Sequence, residues 1–291
     1  QWGNQHKVQG RFYKSDNRNE SDQSSLADLY YAEYQFQKKL ESLPVVVTAG
    51  ATASNGIVQA ELYGDSNYVA ANQALYLQAD WSPGRLNLNG GFRWEHNHLD
   101  KLDESRPIFR FGASFRAAEY TFLRASWGQG YRFPSVAEKF VSTSVSLFNI
   151  FPNPDLQSET GWSAELGVKQ GLQISGWQAY VDASLFMQRY FNMMEFSFGY
   201  YPAPGVIFPY GFKSLNIGNT EIRGGELSVS GTGKFGRFPL SVLAGYTYID
   251  PVFQDFDSLT DANSTADYNI LKYRFKHVVK FDVESSFEHF R

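Results

Sequence analysis

The sequence predicts an all-β protein whose antiparallel strands run up and down in chain order, with long loops at one end of the sheet and short turns at the other. Three observations predict it. Apolar and polar side chains alternate with a period of two over long runs, which is the periodicity of a strand. The breaks between the runs are short and long by turns. The 291 residues also contain no continuous apolar run of the ~18 that a membrane helix needs.

The first clear run places Tyr30, Ala32, Tyr34 and Phe36 against Glu33, Gln35 and Gln37. In "GRLNLNGGFRWE", residues 84–95, Leu86, Leu88, Phe92 and Trp94 share one face while Arg85, Asn87, Asn89, Arg93 and Glu95 share the other. Phe109, Phe111, Ala113 and Phe115 then oppose Arg110, Ser114 and Arg116, and Trp162, Ala164, Leu166 and Val168 oppose Ser163, Glu165 and Lys169. The longest run, "GWQAYVDASLFMQRY", sets Trp177, Ala179, Val181, Ala183, Leu185 and Met187 against Gln178, Tyr180, Asp182, Ser184, Gln188 and Tyr190. With Gly, Pro, Asn, Asp and Ser clusters as breaks, the chain divides into about twelve strands, most of roughly 9 to 14 residues.

Short turns fall at "KKLESLP", "SPGR", "RAAE", "QGLQISG" and "GKFGRF". Long loops fall at "SDNRNESDQSSLA", "NGIVQAELYGDSNY", "HNHLDKLDESR", residues 132–160, residues 193–214 and "DPVFQDFDSLTDANSTADYN". In a meander this strict alternation gathers all long loops at one end, the pattern of a transmembrane β-barrel. A soluble β-sandwich also alternates apolar and polar residues but gives no reason for that asymmetry. Periodicity alone leaves both architectures open, because it does not say whether the apolar face meets a core or lipid.

Composition narrows the function classes. Aromatic residues make up 17% of the chain, yet its mean hydropathy is −0.38, so the rings are spread singly among polar residues. A net charge of −4 offers no basic field for nucleic acid. With no cysteine, disulfide frameworks, thiolate metal sites and cysteine nucleophiles are excluded. The chain opens at Gln1 and stops at "SSFEHFR", apparently in mid-strand, and so reads as a piece of something longer.

The segment 120–168 is the most specific. It reads "YTFLRASWGQGYRFPSVAEKF", a variable loop, then "PNPDLQSETGWSAELGVKQG". This resembles the signature of TonB-dependent outer-membrane receptors through Tyr131, Arg132, Pro134, Ser135 and Glu138, then Asn153, Pro154, Leu156, Glu159, Glu165 and Gly167. "NIGNTEIRGGELSVSG" resembles a later strand of the family through Asn216, Gly218, Gly225 and Glu226. The resemblance covers most of residues 70 to 287, with one departure at Phe275, where the family's run has proline.

The resemblance implies about half of a 22-stranded plugged barrel, residues 1–291 being its middle and later strands without the plug domain. Leu86, Leu88, Phe92 and Trp94 are then expected to face outer-membrane lipid, with Arg85, Asn87, Arg93 and Glu95 facing a polar lumen. Trp81, Trp94, Tyr246 and Tyr248 suit interfacial girdles. It also implies an active importer in a bacterial outer membrane. Its partners would be lipid, its own N-terminal plug, the inner-membrane TonB complex through that plug, and a small-molecule or metal-chelate ligand. A ferric siderophore is the default ligand, with cobalamin, haem or a glycan as alternatives. A small passive barrel channel and a soluble all-β binding module are the rival readings.

Candidate sites follow. "EFSFGYYPAPGVIFPYGF" brings Phe198, Tyr200, Tyr201, Phe208, Tyr210 and Phe212 into one long loop, where stiff prolines can present ring faces to an amphipathic ligand. His96 and His98 lie two apart near Asp100 and Asp103 and are further ligand candidates. No third ligand is fixed by their spacing, so no metal site is assigned. The acidic loop carrying Asp255, Asp257 and Asp261 fails the EF-hand template. The motif residues read mainly as structural or plug-facing: Pro134 ends a strand, Arg132 offers a planar fork, and Asn153-Pro154 opens a turn. No nucleophile, base and orienter recur at a catalytic spacing, so neither an enzyme nor a cofactor is expected.

Overall fold

The computed structural model describes residues 3–20, 23–64, 66–145, 147–236, 238–254 and 275–285. In chain order the strands are β1 (Gln5–Asn17), β2 (Ser25–Lys39), β3 (Val45–Ala60), β4 (Asn67–Trp81), β5 (Leu86–Leu99), β6 (Leu102–Ala118), β7 (Thr121–Arg132), β8 (Thr143–Val145), β9 (Phe148–Phe151), β10 (Glu159–Ile174), β11 (Trp177–Phe191), β12 (Met194–Tyr200), β13 (Tyr210–Asn216), β14 (Thr220–Phe235), β15 (Phe238–Phe253) and β16 (His277–Ser285). One short helix, α1 (Val136–Phe140), precedes β8. Twelve strands form a single antiparallel sheet in the order β1-β2-β3-β4-β5-β6-β7-β10-β11-β14-β15-β16, open at both edges. The up-and-down transmembrane architecture expected from the sequence is thus present as part of a barrel.

Register makes the two faces continuous. Leu75 pairs with Trp94, Phe92 with Phe109, and Phe111 with Trp127. Further along, Leu166 pairs with Leu185, Ala183 with Leu227, and Leu227 with Tyr246. Cross-strand partners point the same way, so these residues form one apolar wall. Leu185 is 70% exposed and Leu75 61%, a degree of exposure that only a face turned to hydrocarbon accommodates across so many strands. The opposite face carries Glu33, Arg93, Glu95, Arg110, Arg124, Glu165, Asp182 and Glu226.

Tight packing sits at the end where the longer connections gather. There Leu99, Val136 and Phe140 pack with Tyr63, Tyr68, Ala70 and Phe133. A second cluster joins Met193 and Phe253 to Tyr190, Ile217 and Ile222.

Two expectations are corrected. The stretch "HNHLDKLDESR" is not a long loop. Strands β5 and β6 run on to Leu99 and Leu102, and the chain reverses at Asp100-Lys101, with Asp100 in the left-handed region at φ 57°. Aspartate tolerates that conformation better than most residues. The other correction concerns residues 132–160 and 193–214, which hold a second, four-stranded sheet in the order β12-β13-β9-β8. The acidic loop with Asp255, Asp257 and Asp261 lies outside the described residues.

Candidate ligand site and inner wall

The residues of the signature build a joint between the two longest described connections. Arg132, ending β7, forms an ion pair with Glu138. Pro134 is fully buried, and Ser135 caps α1: its Oγ accepts from the Glu138 N–H at 3.3 Å, while Glu138 Oε2 accepts from the Ser135 N–H at 2.9 Å. From the same helix, the buried Lys139 donates through Nζ to the Leu156 carbonyl at 3.0 Å, and its own carbonyl accepts from the Asn153 N–H at 2.7 Å. Burial lowers the Lys139 pKa, partly opposed by Asp100 and Asp155. Asn153 and Pro154 make the turn that follows, closed by the Leu156 N–H donating to the Asn153 carbonyl at 3.1 Å, and Leu156 is wholly buried.

The joint then reaches the second connection. Asn153 Nδ2 donates to the Ser214 carbonyl at 2.8 Å. Asn216 accepts from the Gln157 N–H at 2.9 Å and donates to the carbonyls of Gln157 and Asn192 at 3.0 and 2.9 Å. Glu159 accepts from the Met194 N–H at 2.7 Å. Gly218, at φ 92°, lets the chain turn back into β14. One hub escaped the sequence reading: Glu104 Oε2 accepts from Ser158 Oγ at 2.6 Å, Tyr131 Oη at 3.3 Å and Arg106 Nη2 at 3.4 Å. Arg106 is two along the same strand, whereas Tyr131 at the end of β7 and Ser158 just before β10 reach Glu104 only through the fold.

On this base stands the aromatic sheet. Phe198 pairs with Phe212 and Tyr200 with Tyr210 across β12 and β13, and Phe212 neighbours Ile150 of β9 in parallel. The rings meet in sequence: Phe196–Phe212 stacked at 5.1 Å, Phe198–Phe212 at 5.2 Å, Phe148–Phe198 at 5.5 Å and Tyr200–Tyr210 at 5.2 Å edge-on, and Phe208–Tyr210 tilted at 5.1 Å. Phe196, Phe198, Tyr200, Phe208 and Tyr210 are all exposed. Tyr201 alternates to the other side, packs on Phe151 at 5.6 Å, and donates to the Ser197 carbonyl at 3.0 Å; burial raises its pKa. The sequence grouped these rings in one loop, and the strand period separates Tyr201 from the rest.

Side chains on the polar face of the large sheet lie flat across glycines of neighbouring strands. Arg124 reaches over Gly167, donating to Glu165 at 3.0 Å and to Asp182 at 2.6 Å; a Cβ on Gly167 would stand 2.6 Å from the guanidinium carbon. Tyr76 crosses Gly50 in the same way to donate to Glu33 at 2.9 Å. In β14 the most confined glycine is Gly224, not Gly225: a Cβ there would lie 2.1 Å from the Tyr248 carbonyl oxygen and 2.7 Å from the Phe186 ring. Gly225 instead points to the apolar side, near Leu185, while Glu226 takes the polar side.

A model of the TonB-dependent receptor-like β-barrel family matches residues 1–282. The chain belongs to the TonB-dependent receptor family. A hemoglobin and hemoglobin-haptoglobin-binding protein A of Haemophilus influenzae is 28% identical over 128 residues, 43% of this chain and 12% of that protein. Among solved structures, the siderophore receptor PirA from Pseudomonas aeruginosa superposes with a TM-score of 0.62 at 14% identity, covering 79% of this chain and 50% of that one. The Serratia marcescens hemophore receptor HasR, in complex with its hemophore HasA and heme, superposes at 0.51 and 15% identity, covering 86% and 49%. The matched part spans half or less of the length of each. At such identities the structural likeness shows the fold.

Within this receptor barrel His96 and His98 do not stand on the polar wall. They continue the face of Trp94 beyond its ring, on the apolar side, because all three are two apart along β5. Their neighbours are on β6: His98 Nδ1 lies 3.1 Å from Asp103 and His96 Nδ1 3.0 Å from Ser105. Among the described residues no group of three or more His, Asp or Glu has the geometry to hold a metal ion. The structure thus places the two imidazoles at the outer end of the β5–β6 hairpin, away from the polar wall.

Proposed function

We propose that this barrel is the membrane-spanning part of an outer-membrane receptor that captures an iron-siderophore or haem-type cargo and imports it. The observation that carries the reading is the pairing of an ordered, aromatic sheet at the long-connection end with a polar wall on one face of the strands beneath it. The aromatic sheet supplies capture, through Phe198, Tyr200, Phe208 and Tyr210. The polar wall, with Glu33, Glu95, Arg124, Glu165 and Asp182, supplies hydrogen-bonding groups for a plug and for a passing polar solute. Energy from the inner-membrane TonB complex, delivered through the plug, drives release. The family match and the names of the relatives, which include siderophore and hemoglobin binding, support this class of cargo.

The test uses the full-length protein in a Gram-negative host stripped of its own iron receptors, supplied with iron as ferric siderophores or as haemin. Growth on at least one source that stops when TonB is deleted is the expected result. Growth that is equal without TonB would assign the protein to the passive channels.

A further inference from the structure

We infer that a groove on the apolar side of β11, β14 and β15 holds an acyl chain of a phosphorylated glycolipid, the lipid of the outer leaflet, with Arg223 taking its phosphate. This rests on the outer-membrane placement proposed above and not on the cargo. Gly225 makes the groove. In the row that crosses the sheet from Leu166 through Leu185 and Gly225 to Tyr248, the glycine is the one position without a side chain. The next row, Val168, Ala183, Leu227 and Tyr246, adds a second small residue at Ala183. Between Leu185 and the two tyrosines this opens a space of about 1160 Å³. Its walls on this side are apolar and hydrocarbon surrounds it, so an acyl chain fills it without leaving its own medium.

Height fixes which part of the lipid meets Arg223. Along β14 the positions on this side run from Gly225 through Leu227, Val229, Gly231 and Gly233 to Phe235, and none carries a polar side chain. At ~3.3 Å per residue and ~40° of tilt the run is roughly 25 Å tall, the height of the apolar band of a transmembrane barrel. The next residue on that side toward the long-connection end is Arg223. Long connections are extracellular in such barrels, so its guanidinium stands at the head groups of the outer leaflet, directly above the groove.

The charges at that level suit an anion. Arg189, Arg223 and Lys276 share two carboxylates, Glu221 and Asp250, which leaves one positive charge over among the described residues of the cluster. The ion pairs are loose. Arg223 stands 3.4 Å from Asp250 and 3.9 Å from Glu221, Lys276 3.5 Å from Asp250, and Arg189 3.8 Å from Glu221. A fully formed charge-assisted hydrogen bond closes to ~2.7–2.9 Å. The Arg223 side chain is 61% exposed, so its planar fork can turn to a phosphate while the chain of the same lipid lies over Gly225.

The test titrates the full-length receptor in mild detergent with bisphosphorylated lipid A and with the same lipid stripped of its phosphates, and counts bound lipid by native mass spectrometry. The wild type should hold the dephosphorylated form about fivefold or more weakly. Arg223→Gln should bind the two forms alike. Gly225→Leu, which fills the groove, should weaken both about tenfold or more. Its new Cβ meets Leu185 Cδ2 at 3.1 Å and the Ser184 carbonyl oxygen at 3.3 Å, and resistance to trypsin confirms that the variant is folded. Three outcomes overturn the inference: equal binding of bisphosphorylated lipid A by the wild type and the Arg223→Gln variant, indifference of the wild type to the phosphates, and binding of dioleoyl phosphatidylglycerol as tight as that of lipid A. All three leave the outer-membrane reading standing. A full-length protein that stays monomeric in plain buffer without detergent refutes that reading itself.

Discussion

Gly211→Ala is expected to detach the aromatic hairpin from the rest of the small sheet. The added Cβ would sit 1.9 Å from the Asn149 oxygen and under 3 Å from two more backbone atoms of that residue, so neither strand relieves the clash by turning a side chain. Separation removes the pairing of Gly211–Lys213 with Asn149–Phe151, the Asn149 bond to the Phe208 carbonyl and the edge contact of Phe148 with Phe198. Two or three hydrogen bonds at ~1 kcal/mol each and an aromatic pair at ~0.5–1.5 kcal/mol give a loss of about 3–4 kcal/mol. That corresponds to a local opening roughly two to three orders of magnitude more frequent. Amide hydrogen exchange on the full-length protein in detergent reads it directly. Residues 194–216 should exchange faster by that factor, while β10 and β11, held by their own ladder, stay unchanged. Exchange at the wild-type rate would refute the argument that the backbone approach at Gly211 pins the platform.

Other perturbations separate flexible from rigid obstacles. Gly167→Ala displaces the Arg124 guanidinium, and because that side chain is about a third exposed the lost ion pairs cost less than ~1 kcal/mol. Arg124→Ala in the same protein should abolish the effect in a double-mutant cycle of denaturant stability. Gly224→Ala instead meets the Tyr248 backbone at 2.1 Å, so it should cost ~1–3 kcal/mol and resist rescue by Phe186→Ala. Ser135→Ala removes the cap of α1 and should cost ~1 kcal/mol, seen as faster proteolysis within residues 133–158. Lys139 binds fewer protons in the folded state than in the unfolded one between its depressed pKa and the ordinary lysine value, so in that window stability rises with pH. The protection of residues 133–158 should therefore increase on alkalinisation, and Lys139→Met should flatten the profile.

The long strands were legible because a wall with lipid on one side and polar groups on the other enforces strict alternation, as in Trp177 to Met187. That signal fades where both faces leave hydrocarbon. Beyond Trp94 the pattern turns polar on both sides, and His96 to Asp103 read as a loop although the ladder continues through them. The small sheet was hidden for another reason. Its strands of three to seven residues include a parallel pairing between Phe148–Phe151 and Tyr210–Asn216, a contact some sixty positions apart with no local trace. The ring-bearing residues themselves were found from composition; their division into two faces required the strand period. Glu104 and Gly224 were missed because Tyr131 and Ser158 for the one, and Tyr248 and Phe186 for the other, lie far from them in sequence.

Arg124 over Gly167 and Tyr76 over Gly50 have a consequence for anything that slides along the inside of the barrel. Their polar ends are turned sideways into Glu165, Asp182 and Glu33 rather than outward into the passage. At these two places the donors and acceptors are engaged with each other and lie along the wall rather than standing out from it. On the import reading proposed above, a solute or plug sliding past these two places would meet a surface that wets easily and grips weakly, so that it is let go at each step.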